Sequence, residues 1–329
     1  MTSAASVSRS LSVGQTLAEL GEFGLIRAVS ELASAGGAQT SGVLVGPGDD
    51  AALVAVGGGE VLVCTDVAVE GRHFRRDWSS GADVGHRIAA ANMADVAAMG
   101  GMPRALVVAL CAPATLPAQW ALDLTAGLID EAALAGARLV GGDVAEADVV
   151  SVAVTALGAA EHRVVRRDGA RPGDVVAIAG RIGWAAAGLA VLSRGFRSPK
   201  VVVEAHRRPQ PPYAQGAAAA AAGASAMIDV SDGLLADLGH VADASGVAID
   251  LRASAFAPAE PLQAVGAALG ADPLSFCLTG GDDHALAAAF TPQTSLPQGW
   301  TVVGEVAEGS GVTVDGAAYD ANGGHRHFD

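Results

Sequence analysis

The chain has 329 residues, a hydrophobic fraction of 51% and a formal net charge of −15 at pH 7. Its length fits two domains or one large α/β unit, and its apolar content excludes a disordered chain. The acidic charge argues against a general phosphate-binding surface for nucleic acid. With no apolar run of membrane-spanning length and no apolar core of a secretory signal, we expect a cytoplasmic protein with neither membrane nor nucleic-acid partners.

Strands and long helices alternate in the first half of the sequence. Residues 15–34 have amphipathic helical spacing, and a Gly-Pro-Gly-Asp-Asp turn at 46–50 precedes an apolar run over 51–56. Apolar periodicity and β-branched content then predict strands over 61–66, 105–111 and 149–157, with helices over 83–99 and 117–135.

The second half begins with a polar stretch at 166–174 and continues the same alternation. We place a domain boundary near residue 160, giving an N-terminal unit over 1–160 and a C-terminal unit over 161–329. The predicted helices cover 183–192, 213–222 and 234–244, and the predicted strands 174–179, 227–230, 247–251, 285–290 and 301–306. This pattern predicts an α/β (α+β) fold.

Aspartates recur in turn-like segments that we place at the ends of the predicted strands. They occupy 48–50, 65–66, 141–143, 228–233 and 280–283, and Asp95 lies on a predicted helix. Each alone is typical of a turn or a helix cap. Together they imply neighbouring carboxylates, whose repulsion must be offset by protons or cations. Hard oxygen ligands suit Mg²⁺.

The sequence lacks a P-loop, because its single lysine, Lys200, follows no glycine-rich loop. A site that handles nucleotides must therefore neutralise phosphate charge with carboxylate-bound metal ions and a few arginines, as phosphoryl transfer requires. The three cysteines (Cys64, Cys111 and Cys277) lack metal-ligand spacing and do not indicate a disulfide framework.

Six segments occur in the order found in thiamine-monophosphate kinases. They are Gly21-Glu22-Phe23, Gly46-Pro47-Gly48-Asp49-Asp50, Thr65-Asp66 with the following Gly71 to Phe74, Asn92 to Gly100, Gly141-Gly142-Asp143 and Ile228 to Leu234. The chain thus resembles that family within the aminoimidazole ribonucleotide synthetase-like ATP-binding superfamily. The resemblance implies a two-domain α/β fold, a homodimer formed by pairing of the N-terminal sheets, and ATP-dependent phosphorylation of thiamine monophosphate to thiamine diphosphate.

The resemblance also implies roles for individual residues. The ATP co-substrate would contact Gly142, Asp143, Arg167 and Ser231, and thiamine monophosphate would contact His73 and Asp282. No nucleophile or general base is implied, since positioning and several Mg²⁺ ions organise the reaction. The residues implied to hold these ions are Asp50, Thr65, Asp66, Asp95, Asp143, Asp229 and Asp232.

The sequence departs from the family pattern at three places. Asp282 stands where the family usually has a glutamate, and Asp283-His284 replaces an acidic–aromatic pair. Cys64 stands where the family often has a serine, and a thiol is a poor Mg²⁺ ligand. The substrate-facing C-terminal aromatic residue of the family has no secure counterpart among Tyr319, Asn322 and His325.

Two alternatives remain open on the sequence. The first is another ATP-dependent enzyme of the superfamily, such as aminoimidazole ribonucleotide synthetase. Two further members of the superfamily are disfavoured. Selenophosphate synthetase would have a reactive cysteine near the N-terminus and the hydrogenase maturation factor one at the C-terminus, and this sequence has neither. The second is a non-catalytic protein that binds nucleotide or thiamine phosphate, which turnover distinguishes from binding alone.

Overall fold

The computed structural model describes residues 43–45, 49–57 and 59–319. The predicted helix at 15–34, most of the turn at 46–50, and Asn322 and His325 lie outside these ranges. The described residues form two six-stranded sheets and eight α-helices. Among those helices, none combines the length and the apolar character of a membrane-spanning segment.

The first sheet is antiparallel except for one parallel pair, β4 with β5, at its edge. Its strands run in the spatial order β1-β2-β3-β6-β4-β5. They are β1 (Val43–Val45), β2 (Ala52–Val56), β3 (Gly59–Val69), β4 (Met102–Ala112), β5 (Arg138–Glu146) and β6 (Ser151–Ala159).

Two helices, α1 (Gly81–Ala98) and α2 (Ala118–Leu134), pack with one face of this sheet. Burial alternates along β6, where Val152 and Val154 are fully buried while their neighbours are half-buried. This alternation follows from the two-residue period of a strand with one covered face. The other face, which we call the open face, exposes 51% of Val67 on β3 and 37% of Val107 on β4.

Helix α1 has clear signals at both ends. Ser80 accepts a hydrogen bond from the backbone N–H of Asp83, and the Asp83 side chain accepts one from the N–H of Ser80, which forms a capping box. The helix ends at Met99, and Gly100 follows with a φ of 76°, a left-handed conformation that favours glycine. The sequence-predicted helix at 83–99 is therefore confirmed almost to the residue.

The second sheet has the order β12-β9-β11-β7-β10-β8, with only β12 and β9 parallel. Its strands are β7 (Val175–Ala179), β8 (Ala226–Val230), β9 (Ala248–Leu251), β10 (Ala285–Phe290), β11 (Trp300–Ala307) and β12 (Gly311–Val314). The helices that follow in this half are α3 (Trp184–Ser193), α4 (Lys200–Arg207), α5 (Tyr213–Ala222), α6 (Leu234–Ser245), α7 (Glu260–Leu269) and α8 (Pro273–Thr279).

Both faces of the second sheet are covered, which accounts for the continuous apolar run of β10. Leu286 and Phe290 belong to a core shared with α1 and the first sheet, whereas Ala285 and Ala287 pack into a second core that includes residues of α3 and α6. Helix α1 therefore lies between the two sheets. Every strand of the first sheet precedes residue 160 and every strand of the second follows it.

The mixed α/β fold is confirmed, but one part of the sequence prediction is wrong. Residues 65–66 and 141–143 lie inside β3 and β5, not in turns at strand ends. The two adjacent glycines at 141 and 142 are common in turns, and this bias concealed the edge strand. Helices α4, α7 and α8 and strands β5 and β12 were not predicted; among them α4, α8 and β12 are at most eight residues long, too short for a clear periodic pattern.

Candidate active site

Three carboxylates meet where the two sheets and α1 approach one another. Asp50 lies just before β2, Asp95 lies in the C-terminal half of α1, and Asp229 lies in β8. One oxygen from each lies within 4.8 Å of the others. We call these three residues the carboxylate cluster.

Two members of the carboxylate cluster, Asp50 and Asp95, hold protons more tightly than ordinary aspartates. Burial, together with the charges of Asp229 and Asp49, raises the pKa of Asp50 to about 7 in spite of Arg167. Burial and the charges of Asp66, Asp229 and Asp50 raise the pKa of Asp95 well above its ordinary value. Each of these pKa shifts reports the same repulsion between neighbouring anions in a poorly hydrated site.

Among the described residues, Arg167 is the permanent cation that contacts the cluster. It lies in a 3-10 turn at 167–169, and its Nη2 donates to Asp50 Oδ1 at 2.5 Å. Its backbone N–H also donates to Asp49 Oδ2 at 3.2 Å. The charge and hydrogen bond of Asp50 raise the pKa of Arg167 although burial acts in the opposite direction. The family resemblance implies a fixed positive charge at Arg167, and in the structure its guanidinium lies beside Asp50.

The cluster fits a divalent cation with oxygen ligands. Asp50 Oδ2 is buried and has no hydrogen-bond partner among the described residues, so one lone pair of a buried carboxylate is unsatisfied. Three carboxylate oxygens without sulfur or imidazole ligands suit a hard ion such as Mg²⁺. A cation there would lower the repulsion that raises the pKa values of Asp50 and Asp95.

A cleft of ≈ 810 Å³ runs from the cluster along α1 to the loop between β3 and α1. Residues of both sheets and of α3 also line it. Seven residues selected from the sequence line this one cleft, namely Asp66, His73, Asp95, Asp229, Ser231, Asp232 and Asp282. The structure thus brings together residues that are up to 216 positions apart in the chain.

Asp66 and His73 lie at the first-sheet side of the cleft. Protein atoms around the Asp66 carboxylate and the charge of Asp229 raise the pKa of Asp66, although its side chain still reaches solvent in the cleft. The backbone N–H of Asp66 donates to Asn92 Oδ1 at 3.0 Å. His73 Nδ1 accepts from the N–H of Val69 at 3.0 Å, which leaves Nε2 as the protonated nitrogen of the neutral ring.

Thr65 does not join the carboxylate cluster through its side chain, contrary to the sequence expectation. Neighbouring strand residues point to opposite faces, so Thr65 projects to the open face when Asp66 projects to the α1 side. The Thr65 hydroxyl donates to the carbonyl of Val154 at 3.0 Å and accepts from Thr155 Oγ1 at 3.1 Å. Thr65 is not among the residues that line the cleft, whereas its neighbour Asp66 is.

Gly142 and Asp143 also lie away from the cluster within one chain. Cross-strand pairing connects Asp66 to Val154, Val154 to Val108 and Val108 to Gly142, so three strand spacings, about 14 Å, separate β3 from β5. Asp143 is exposed on this edge strand. A Cβ at Gly142 would lie 2.0 Å from the carbonyl oxygen of Val108, so glycine is required there for packing.

Cys64 contacts the site through its thiol but not as a metal ligand. Its Sγ–H donates to the carbonyl of Asn92 at 3.1 Å. Burial and the charges of Asp95 and Asp66 raise the pKa of the Cys64 thiol, which therefore stays protonated. All three cysteines are free thiols.

Two basic residues of the site were not selected from the sequence. His284 Nδ1 lies 2.9 Å from Asp229 Oδ2, both side chains are buried, and His284 has a φ of 51°. The hydrogen bond and charge of Asp229 raise the pKa of His284 against the effect of burial. Arg87 on α1 contacts Asp282. The sequence did offer a signal for His284, because it stands where the family usually has an aromatic residue. It offered no signal for Arg87.

Both halves of the chain match known proteins. Residues 48–160 match the family model for the N-terminal domain of AIR synthase related proteins, and residues 171–316 match the model for their C-terminal domain. The thiamine-monophosphate kinase of Mycobacterium tuberculosis is 47% identical over 316 residues, which cover 95% of this chain and 93% of that protein. The enzyme of the same name from Corynebacterium glutamicum is 38% identical over 307 residues, with 90% and 89% coverage.

Solved structures show the same similarity. The structure of AaThiL complexed with AMPPCP and TMP superposes with a TM-score of 0.85 at 30% identity, covering 96% of this chain and all of that chain. Both domain models match in order, and the named relatives align over nearly the whole length. The chain therefore belongs to the thiamine-monophosphate kinase family.

Proposed function

We propose that this protein transfers the γ-phosphoryl group of ATP to thiamine monophosphate and forms thiamine diphosphate. The observation that carries the proposal is the cleft that joins the carboxylate cluster to His73 and Asp282. Its volume of ≈ 810 Å³ is in the range of small-molecule sites, and Asp95 and Asp229 of the cluster lie in its wall. The relatives that share its fold are named for this reaction, and AaThiL was solved with AMPPCP and TMP.

The chemistry requires no general base from the protein. The accepting atom is a phosphate oxygen that is already anionic at neutral pH, so the main barrier is repulsion between two phosphate groups. Positioning and fixed positive charge address that barrier directly. Arg167 supplies such charge beside Asp50, and Ser231 lines the cleft at the end of β8.

We propose that the carboxylate cluster, together with Asp66 and Asp232, holds Mg²⁺ ions. The support is the unsatisfied oxygen of Asp50 and the raised pKa values of Asp50 and Asp95. Bound Mg²⁺ neutralises the phosphate charge. The residues themselves fix where that charge is neutralised, because burial and packing hold Asp95 and Asp229 in place on α1 and β8.

We also propose a homodimer in which two first sheets pair through their open faces. The exposed apolar side chains of Val67 and Val107 on that face support this pairing, since monomers seldom leave such a face in water. Thr65 and Asp143 lie on that face, so any contact of theirs with ATP or metal belongs to the paired state. The division into units at 1–160 and 161–329 and a cytoplasmic location remain proposals, the latter supported by the three free thiols.

The test is a turnover assay. Purified protein is incubated with ATP, Mg²⁺ and thiamine monophosphate, and thiamine diphosphate and ADP are separated and quantified. We expect the two products in equal amounts and no product when EDTA is in excess. Tight substrate binding without product would identify a binding protein instead, and ATP turnover only with another acceptor would identify a different enzyme of the superfamily.

A further inference from the structure

Arg87 and Asp282 form an ion pair on the wall of the cleft. Arg87 extends from α1, and its Nη2 donates to Asp282 Oδ2 at 2.6 Å. The pair joins α1 to the turn before β10 across 195 positions of sequence. Both side chains line the same cleft as His73, at a distance along α1 from the carboxylate cluster.

His206 fixes the other side of the Arg87 guanidinium. Arg87 Nη1 lies 3.3 Å from His206 Nε2. Burial and the neighbouring charge of Arg87 lower the pKa of His206 to about 4, so the imidazole is neutral at pH 7. A neutral Nε2 can accept a hydrogen bond from the guanidinium, whereas a protonated ring would repel it. Arg87 is thus held between a carboxylate and a neutral acceptor.

This contact keeps the Asp282 carboxylate charged and oriented. Burial would raise its pKa, but Arg87, His284 and His206 hold the pKa of Asp282 down to about 2. The backbone is fixed as well, since Asp282 has a φ of 65° and its N–H donates to the carbonyl of Ser231 at 2.8 Å. Within the described residues, Oδ2 is engaged by Arg87 and no hydrogen bond reaches Oδ1. The side chain is 41% exposed, toward the cleft it lines.

We propose that Arg87 is a positioning residue for acceptor recognition, which holds Asp282 so that Oδ1 accepts a hydrogen bond from a donor or cationic group of the acceptor. The inference rests on the proposed function. Thiamine monophosphate offers such groups in its aminopyrimidine and its thiazolium ring. Because Asp282 is one methylene shorter than the glutamate usual in the family, its contact with the acceptor depends on how the carboxylate is oriented. Arg87 fixes that orientation from helix α1.

The experiment compares Michaelis constants for the two substrates. In Arg87→Gln we expect KM for thiamine monophosphate to rise roughly tenfold to a hundredfold, as for the loss of a hydrogen bond to a charged group, while KM for ATP and kcat stay within about threefold. Calorimetric titration with thiamine monophosphate alone should show the same loss of affinity. Arg87→Lys keeps the charge, so it should recover part of the loss.

A double-mutant cycle separates positioning from independent contacts. If Arg87 acts through Asp282, then Arg87→Gln combined with Asp282→Asn raises KM for thiamine monophosphate no further than the larger single effect. If the increases in KM of the two single variants multiply in the double variant, the inference is overturned, because each residue would then contact the acceptor separately. Arg252→Gln, which removes an exposed arginine after β9, is the control and should change neither constant.

The outcomes also separate this inference from the proposed function. Absence of thiamine diphosphate with the wild-type protein contradicts the function itself. Normal turnover with an unchanged KM for thiamine monophosphate in Arg87→Gln contradicts only the inference. A lysine variant no better than the glutamine variant contradicts it too. If Arg87→Gln does not fold, as judged by circular dichroism, Arg87→Lys and Asp282→Asn decide the question by the same split between the two Michaelis constants.

Discussion

At the scale of single residues, the site concentrates negative charge in a small volume. The carboxylate cluster and Asp66 lie together with one adjacent arginine, Arg167. Without a cation this arrangement opposes folding, since burial and mutual repulsion disfavour the ionised forms. The charge that destabilises the metal-free fold is the same charge that would hold Mg²⁺ in the proposed function.

Asp95→Asn tests whether the negative charge that activity requires also lowers the stability of the metal-free fold. Asp95 is the member of the cluster whose raised pKa has the most anionic contributors, namely Asp66, Asp229 and Asp50. We expect kcat to fall by at least roughly a hundredfold, as for the loss of one preorganised electrostatic group. The free energy of unfolding in metal-free buffer should stay level or rise, because repulsion is relieved. Unchanged kinetics would remove Asp95 from the site.

The pH dependence of stability follows from the raised pKa values. Unfolded Asp50 titrates near its ordinary pKa of about 4, whereas folded Asp50 titrates at about 7. The folded state therefore binds more protons in this window, so the free energy of unfolding of the metal-free protein falls as pH rises from about 4 to about 7. Asp283, whose pKa burial raises to about 7, adds to the same slope.

Denaturant titrations at several pH values, with EDTA or with saturating Mg²⁺, measure this slope. Mg²⁺ should stabilise the protein progressively more toward pH 7, since metal binding requires deprotonated carboxylates. Asp50→Asn should flatten the metal-free slope. A metal-free stability that rises between pH 4 and 7 would contradict the assignment of buried, protonated aspartates.

At the scale of elements, the position of α1 depends on its close packing with α2. A Cβ at Gly85 would lie 2.1 Å from the carbonyl oxygen of Leu124, and a Cβ at Gly127 would lie equally close to the carbonyl of Ala82. The two helices thus touch backbone to backbone. Because α1 carries Arg87, Asn92 and Asp95, this contact determines where three site residues lie.

Gly85→Ala should therefore force the helices apart. We expect the free energy of unfolding to fall by about 1–3 kcal/mol, the usual cost of overpacking, and turnover to fall with it. Gly239→Ala is the matched control, because Gly239 lies within α6 and a Cβ there meets nothing within 4 Å. The control should stabilise by about 0.5–1 kcal/mol through helix propensity. Equal effects in both variants would mean that the α1–α2 contact is not tight.

The sequence predicted most elements of this fold, and the failures have a common physical cause. Periodicity identified α1 nearly to its ends because its caps are local signals. The role of Thr65 depended instead on which sheet face becomes covered, and the position of Asp143 depended on strand order. Both are non-local properties. Arg87 was missed for the same reason, since its partner Asp282 lies far away in the chain.

At the scale of the whole molecule, the two sheets differ in how they meet solvent. The second sheet is covered on both faces, whereas the first leaves its open face with exposed valines on β3 and β4. The first sheet of a second copy of the chain would cover this face and remove its apolar side chains from water. The proposed homodimer is the simplest such partner, because a two-fold axis lets the same patch serve both copies.

Val107→Glu tests the dimer directly. Val107 is 37% exposed on the open face of β4, and a charge there would be buried without a partner in the paired state. We expect the mass measured by light scattering to fall from that of two chains to that of one. Phe196→Glu, which alters a side chain that is 58% exposed after α3, should leave the mass unchanged. A wild-type protein that is already a single chain would contradict the proposal.

The placement of α1 between the sheets also limits the length of the acceptor. Arg87 and Asp95 are eight residues apart on one rigid helix, which corresponds to about 12 Å along its axis. An acceptor held at Asp282 must therefore span that interval to present its phosphate at the carboxylate cluster. The spacing of Arg87 and Asp95 on α1 thus sets a minimum length for the acceptor. A shorter molecule could not contact Asp282 and place its phosphate at the carboxylate cluster at the same time, whatever its chemistry.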